Sequence, residues 1–282
     1  MELSVFGGTG FVGGAYVKKF CIDSDYIHLI PRTEVKPIDG DHVLYFISTT
    51  HNYHVFDDAT FDINTNLIHL TQVLQEWRDS RNPGIFNFIS SWFVYGPNVP
   101  LPAKEDAHCD PRGFYSITKR TAEQLVISFC ETFDLRYRIL RLGNVLGAED
   151  TKASAKKNAL QYLFNEMKAG RNIDIYEGGD FYRSYIYVED CIDAIHFVIE
   201  KGKVNEIYNI GTTEKMKFIN MLQYAGDLLS YTGKYNFIPQ KDFHKKIQAK
   251  SFYLDVTKLY DLGFHHRYDP EHMIEAVLHP HK

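Results

Sequence analysis

Glu2-Leu3-Ser4-Val5-Phe6-Gly7-Gly8-Thr9-Gly10-Phe11-Val12-Gly13-Gly14 opens the chain: a β-like run breaks into a glycine-rich turn, then into an amphipathic stretch through Lys19. Glycines at 7, 10 and 13 let a backbone turn tightly, bring its N–H groups against a diphosphate and seat the next helix closely on the strand. Glycine clusters also close ordinary turns. Here the turn lies between a strand-like and a helix-like run, which is the context a dinucleotide site requires. Gly7, Gly10, Phe11, Val12 and Gly13 are therefore the first candidate cofactor contacts.

The rest of the composition bounds the class. At 282 residues with 44% hydrophobic residues, the chain suits one large α/β unit or two interleaved domains. A net charge of -5 gives no reason to invoke nucleic acid or an anionic membrane as partner. No apolar run reaches bilayer length and no basic-then-apolar leader precedes the first strand, so the expectation is a soluble, cytoplasmic protein. Cys21, Cys109, Cys130 and Cys191 form no Cys-x-x-Cys pair. His51, His54, His265 and His266 read as surface or packing residues, and no metal site is expected.

Strand-like and helix-like segments then alternate, as parallel βαβ units do. Strands are expected at Tyr26–Ile30, Val43–Ile47, Ile85–Ile89, Arg138–Leu142 and Tyr185–Val188, with long helices over 62–78 and from Pro111 to Glu131. Asn82-Pro83-Gly84 marks a break. The pattern predicts an α/β fold, a Rossmann-type doubly wound parallel sheet with a smaller C-terminal substrate lobe. The dinucleotide-binding domain is placed at 1–145 with part of 184–212 returning to it, and the lobe at 146–183 and 213–282. Between Ile30 and Val43 the chain is too short for a full crossover, which needs roughly 10–12 residues including its helix, so a helix and a strand of the standard sheet are expected to be missing.

Tyr115-Ser116-Ile117-Thr118-Lys119 puts a phenol and an ammonium on one helix face. A lysine charge nearby lowers a phenol's pKa and lets it exchange a proton at neutral pH. The spacing alone also fits an ordinary surface helix. The upstream strand end Ile89-Ser90-Ser91-Trp92-Phe93-Val94-Tyr95-Gly96 adds weight, because ligands of such sheets sit at the carboxyl ends of strands, where Ser91 falls.

With these pieces in order the chain resembles the extended short-chain dehydrogenase/reductase family, the NAD(P)-dependent epimerases, dehydratases and reductases of nucleotide sugars. The resemblance rests on Gly7-x-x-Gly10-x-x-Gly13, the Asn64 region, Ser91-x-x-x-Tyr95-Gly96, Tyr115-x-x-x-Lys119, Arg141-Leu142-Gly143-Asn144, Arg183-x-x-Ile186-x-Val188-x-Asp190 and Tyr208-Asn209-Ile210-Gly211. It implies Ser91, Tyr115 and Lys119 as the catalytic set, with Tyr115 and Lys119 also on the cofactor. Asn144 and Arg183 would meet the diphosphate of a nucleoside-diphosphate sugar, with Ser91 also on the substrate side; Trp92, read from the residues, is the leading aromatic candidate to line the sugar or base pocket. A homodimer through the two long helices is implied as well. From the residues alone, Arg183 also suits an ion pair with Glu189 or Asp190, and Asn144 a capping role.

Three departures sharpen the expectation. His28-Leu29-Ile30-Pro31-Arg32 ends the second strand with no acid for a ribose 2′-hydroxyl and with Arg32 beside it, which favours NADP over NAD. Trp92-Phe93 stands where dehydratases carry an Asp-Glu pair, which disfavours dehydration. The trimmed segment lacks the acidic residue that, in relatives with a full second crossover, usually reaches the adenine ring. The leading expectation is a nucleotide-sugar epimerase working through C4 hydride transfer and a 4-keto intermediate. An NADPH-dependent 4-keto-sugar reductase is the alternative, and a non-catalytic dinucleotide-binding module is third.

Overall fold

The computed structural model describes residues 2–21, 26–81, 83–247 and 250–280; Asn82 of the expected break lies outside them. β1 (Leu3–Phe6), with all four side chains buried, runs into the glycine turn and α1 (Phe11–Phe20), whose last turn carries Lys18 and Lys19 where the helix dipole favours cations. β2 (Ile27–Ile30) and β3 (His42–Tyr45) follow with no helix between them. Next, α2 (Phe61–Ile63), a π-helical stretch (Asn64–Ile68) and α3 (His69–Arg78) succeed one another without a break. β4 (Ile85–Ser91) is buried at all seven positions, as suits a strand covered on both faces.

α4 (Phe114–Thr132) buries Tyr115, Thr118, Lys119, Ala122, Val126 and Cys130 at helical spacing, and β5 (Arg136–Leu142) comes next. Short elements then build a second region: β6 (Asn144–Leu146), α5 (Ala159–Lys168), β7 (Ile173–Tyr176), β8 (Tyr182–Arg183) and β9 (Tyr185–Tyr187). The chain continues through α6 (Val188–Lys201), β10 (Glu206–Ile210), β11 (Met216–Lys217), α7 (Phe218–Leu229), β12 (Tyr235–Ile238), α8 (Asp242–Ile247), α9 (Thr257–Asp261) and α10 (Pro270–Leu278).

The main sheet has the order β10-β5-β4-β3-β1-β2, and every pairing in it is parallel. From β1 the chain steps outward to β2 and then back across to β3, so the order reverses at the carboxyl end of β1, where ligands of such sheets bind. A full doubly wound half adds a strand beyond the second; here β2 is the edge, as the short 31–42 segment foretold. Leu70, Val73, Trp77 and Val126 cover one face of the sheet, while Tyr16, Ile195 and Val198 cover the other. A separate apolar cluster, with Leu160, Phe164, Met221, Leu222, Ile274 and Val277, centres on α5, α7 and α10. Phe252, Leu254, Val256 and Leu259 belong to the sheet cluster, so the chain returns there late in its course.

Candidate active site

The glycine turn is built by close approach. Gly7 has φ +83°, and a Cβ on Gly13 would stand 2.4 Å from the Gly7 carbonyl oxygen. Gly10 caps α1 with extended backbone and no side-chain cap, so the helix leaves its first N–H groups free of side-chain partners at the sheet's switch point. Phe11 and Val12 start that helix half-buried; Phe11 packs toward the second apolar cluster and Val12 toward the sheet cluster, which leaves their main chain, not their side chains, facing the turn. Arg32 is exposed in the turn after β2, and its carbonyl accepts a hydrogen bond from His69 Nε2 at 3.3 Å.

Ser91, Tyr115 and Lys119 converge where β4 ends against the first turns of α4. Tyr115 is 8% exposed, and burial pushes its phenol up to about 12, while the neighbouring Ser91 hydroxyl acts in the opposite sense. Lys119 is buried too, and its Nζ donates to the Ile89 carbonyl at 2.6 Å and lies 4.2 Å from the centre of the Phe88 ring. Burial brings its pKa down to about 7, against the pull of Glu123. The lysine charge expected to lower the phenol does not act on it here: Ser91 is the group that pulls it down, and the Lys119 ammonium is turned to a strand carbonyl.

Beside this group lies a cleft of about 450 Å³ between the sheet edge and the second apolar cluster, and Trp92, Asn144 and Arg183 all line it. Trp92 stacks on Phe93 with ring centres 4.0 Å apart, and Phe93 in turn meets Tyr115 edge-on at 5.7 Å. Asn144 donates to the Ser184 carbonyl at 3.2 Å. Arg183 Nη1 donates to the carbonyls of Lys250 and Tyr182, at 2.5 and 3.1 Å, with the guanidinium over the Phe181 ring. Burial lowers its pKa to about 10, so it is charged at neutral pH. Glu189 and Asp190, the acids weighed as its partners, meet Arg267. Lys156, Lys157, Lys241 and Lys250 line the cleft with Arg183, and together these cations outnumber its acids Glu166, Asp174 and Glu177, a balance that favours an anionic ligand.

Several residues of this region escaped the sequence reading. Asn64 is exposed, and the buried asparagine is Asn66 inside the π-helical stretch. Asn66 accepts from the Thr49 N–H at 2.8 Å and donates to Thr49 Oγ1 at 2.8 Å and Thr118 Oγ1 at 2.9 Å. Thr49 also bonds the buried Asp62 carboxyl, whose charge helps raise Tyr115. Asn52 pairs with Ser116, donating to its hydroxyl at 2.9 Å and accepting from its N–H at 3.1 Å. These bonds tie the loop after β3 to the helix turn that carries Tyr115. Across the cleft His244 is buried between the Tyr53 and Tyr176 rings, and its Nε2 has no partner among the described residues. A run of glycines at fixed spacing could be seen in advance; these pairings needed the π-helical turn and the loop to be in place.

A doubly wound sheet with a glycine turn at its switch point, and a serine, a tyrosine and a lysine gathered two strands over, defines a dinucleotide-dependent enzyme class. The sequence model described as the NAD dependent epimerase/dehydratase family matches residues 3–211, and the chain belongs to that family. It is 28% identical over 258 residues to the trifunctional UDP-glucose 4,6-dehydratase/UDP-4-keto-6-deoxy-D-glucose 3,5-epimerase/UDP-4-keto-L-rhamnose-reductase RHM3 of Arabidopsis thaliana, a match that takes in 88% of the chain and 36% of that protein. It is 26% identical over 314 residues to the low-salt glycan biosynthesis protein Agl12 of Haloferax volcanii, covering 99% and 97% of the two. Its fold is shared with the crystal structure of UDP-glucose 4-epimerase from Thermotoga maritima, at a TM-score of 0.85, 21% identity and coverage of 99% and 97%. Among the described residues no helix is long and apolar enough to cross a membrane, and no cluster of His, Cys, Asp and Glu is placed to hold a metal ion.

Proposed function

We propose that this protein is a nucleotide-sugar 4-epimerase that acts on a nucleoside-diphosphate hexose through a 4-keto intermediate. The observation that carries the reading is the gathering of Ser91 at the end of β4 with Tyr115 and, one turn on, Lys119 of α4, beside a cleft lined by more cations than acids. The glycine cradle fits a dinucleotide, since a Cβ at Gly13 would fill the space under the turn. The nicotinamide, when bound, supplies the hydride acceptor and donor. Tyr115 exchanges the proton at the sugar's C4 oxygen, and Ser91 holds that oxygen. Lys119 orients the dinucleotide's ribose, Gly7, Gly10 and the main chain of Phe11, Val12 and Gly13 receive its diphosphate, and Arg32 meets the 2′-phosphate of NADP. Asn144 and Arg183 take the substrate's diphosphate, for which a guanidinium fork is well shaped, and Trp92 lines the sugar.

Two observations favour a second reading, an NADPH-consuming 4-keto-sugar reductase. Arg32 stands beside a strand end that lacks the acid of NAD users, and a phenol pushed up to about 12 is a proton donor at neutral pH. Dehydration is disfavoured by the aromatic pair Trp92-Phe93 after Ser91. Homodimerisation through α3 and α4 is part of the same proposal: Ile68 just before α3 is 50% exposed and Ile117 of α4 46%, apolar surface that a partner would cover. Incubation with UDP-, GDP-, CDP- and dTDP-hexoses, and with their 4-keto forms, separates the readings. Sugar interconversion at constant cofactor absorbance marks the epimerase; net oxidation of reduced cofactor by a keto-sugar marks the reductase. No turnover of any of them contradicts both.

A further inference from the structure

The turn after β2 has no crossover helix behind it, and one side chain of α3, His69, reaches its backbone. His69 Nε2 lies 3.3 Å from the Arg32 carbonyl oxygen, and Nδ1 lies 2.9 Å from the Tyr45 hydroxyl. A carbonyl only accepts, so Nε2 carries the proton and Nδ1 accepts from Tyr45. Burial, opposed by the bond to the Arg32 carbonyl and helped by the Arg32 charge, lowers the imidazole's pKa and keeps this neutral arrangement at pH 7. Tyr45 ends β3 and Arg32 follows β2, the two strands that flank β1. The imidazole thus links the ends of the two strands that flank β1, whose own end runs into the glycine turn. The π-helical stretch Asn64–Ile68 immediately precedes it, and such bulges concentrate at functional sites.

In doubly wound sheets the end of the second strand meets the adenosine ribose. We propose that His69 is a positioning residue for the dinucleotide: it fixes the Arg32 turn at that ribose and so sets the choice between a 2′-phosphate and a free 2′-hydroxyl. This rests on the reading above that Arg32 meets the 2′-phosphate. A guanidinium on an untethered turn spends its phosphate contact on ordering the turn, whereas a tethered one does not.

The test is direct binding of NADPH and NADH to the full chain, which needs no knowledge of the sugar. His69→Leu is expected to weaken NADPH about tenfold and NADH less than about twofold. Tyr45→Phe, which keeps the ring packing, shifts the ratio the same way by less, and His69→Gln, able to donate and accept at once, restores most of it. In an Arg32→Ala background His69→Leu changes the ratio no further. Equal losses for both dinucleotides, or an unchanged ratio in both His69→Leu and Tyr45→Phe, overturn the proposal; if His69→Leu does not fold, Tyr45→Phe decides. Should Arg32→Ala leave the ratio unchanged, the 2′-phosphate reading falls and this inference with it. A ratio that moves in Arg32→Ala but in neither of the other two removes the His69 role alone.

Discussion

Lys119 Nζ donates to the Ile89 carbonyl oxygen across 2.6 Å, joining the helix that carries Tyr115 to the strand that ends in Ser91. The bond holds a buried cation whose pKa has fallen to about 7. A lysine with a folded pKa below its unfolded one costs stability wherever the folded form must take up a proton, so the cost is complete below about pH 7 and fades as pH rises toward the unfolded value. Lys119→Met is therefore expected to melt higher than the parent at pH 6 while losing at least about a hundredfold in kcat. Thermal melts at pH 6 and 9 beside turnover rates check both halves.

Glu123 is the structural counterpart one turn further along α4. Its carboxylate, fully buried, accepts from Arg141 Nε and Nη2 at 2.9 Å each, from Ser90 at 2.6 Å and from Arg120 at 2.8 Å. Burial pushes the carboxyl up, but Arg141 and the hydrogen bonds outweigh it and hold the pKa below the ordinary value. The stabilisation is present above the unfolded pKa and is lost as pH falls through the folded one. Glu123→Ala leaves the Arg141 charge buried and unpaired, a loss of about 3–5 kcal/mol that urea titration at pH 7 measures. The gap between variant and parent should narrow in acid.

Gly13→Ala tests the cradle. The added methyl meets the Gly7 carbonyl oxygen at 2.4 Å and its carbon at 3.2 Å, both backbone atoms that cannot swing away. Binding of either dinucleotide is expected to fall by at least about tenfold, measured by titration on protein whose circular dichroism is unchanged. Gly10→Ala, whose Cβ would find only Gly7 O at 3.6 Å, should be far milder.

Arg183→Lys separates fork from charge. The lysine keeps the positive charge but cannot bond the Lys250 and Tyr182 carbonyls and a phosphate in one plane. Affinity for UDP is expected to drop about tenfold with dinucleotide affinity unchanged; equal affinity for UDP would remove Arg183 from the substrate site.

The sheet was legible because its signals are local. Buried runs such as Ile85–Ser91 and the glycine spacing at 7, 10 and 13 declare themselves within a dozen residues, and the shortness of 31–42 foretold the missing crossover. Ser91, Tyr115 and Lys119 could be named from order and resemblance. Their mutual bonding could not, since the Lys119 contact is with a carbonyl that carries no sequence signature. The Asn66–Thr49–Thr118 bonds depend on a π-helical turn that no spacing in the sequence announces; the resemblance pointed to the Asn64 region, and the buried asparagine lies two residues further on. His244 reaches the cleft from a six-residue helix in a region with no regular pattern.

The central claim is that the Tyr115 hydroxyl handles the proton of a sugar C4 oxygen while hydride moves at the adjacent carbon. Reduced dinucleotide deuterated at nicotinamide C4, on each face in turn, can be incubated with nucleoside-diphosphate 4-keto-hexoses and the product examined by mass spectrometry and NMR. Both the epimerase and the reductase readings predict deuterium at sugar C4 from one face with the parent protein, and at least about a hundredfold slower incorporation with Tyr115→Phe. No incorporation by the parent, or the same rate in the variant, would contradict the account.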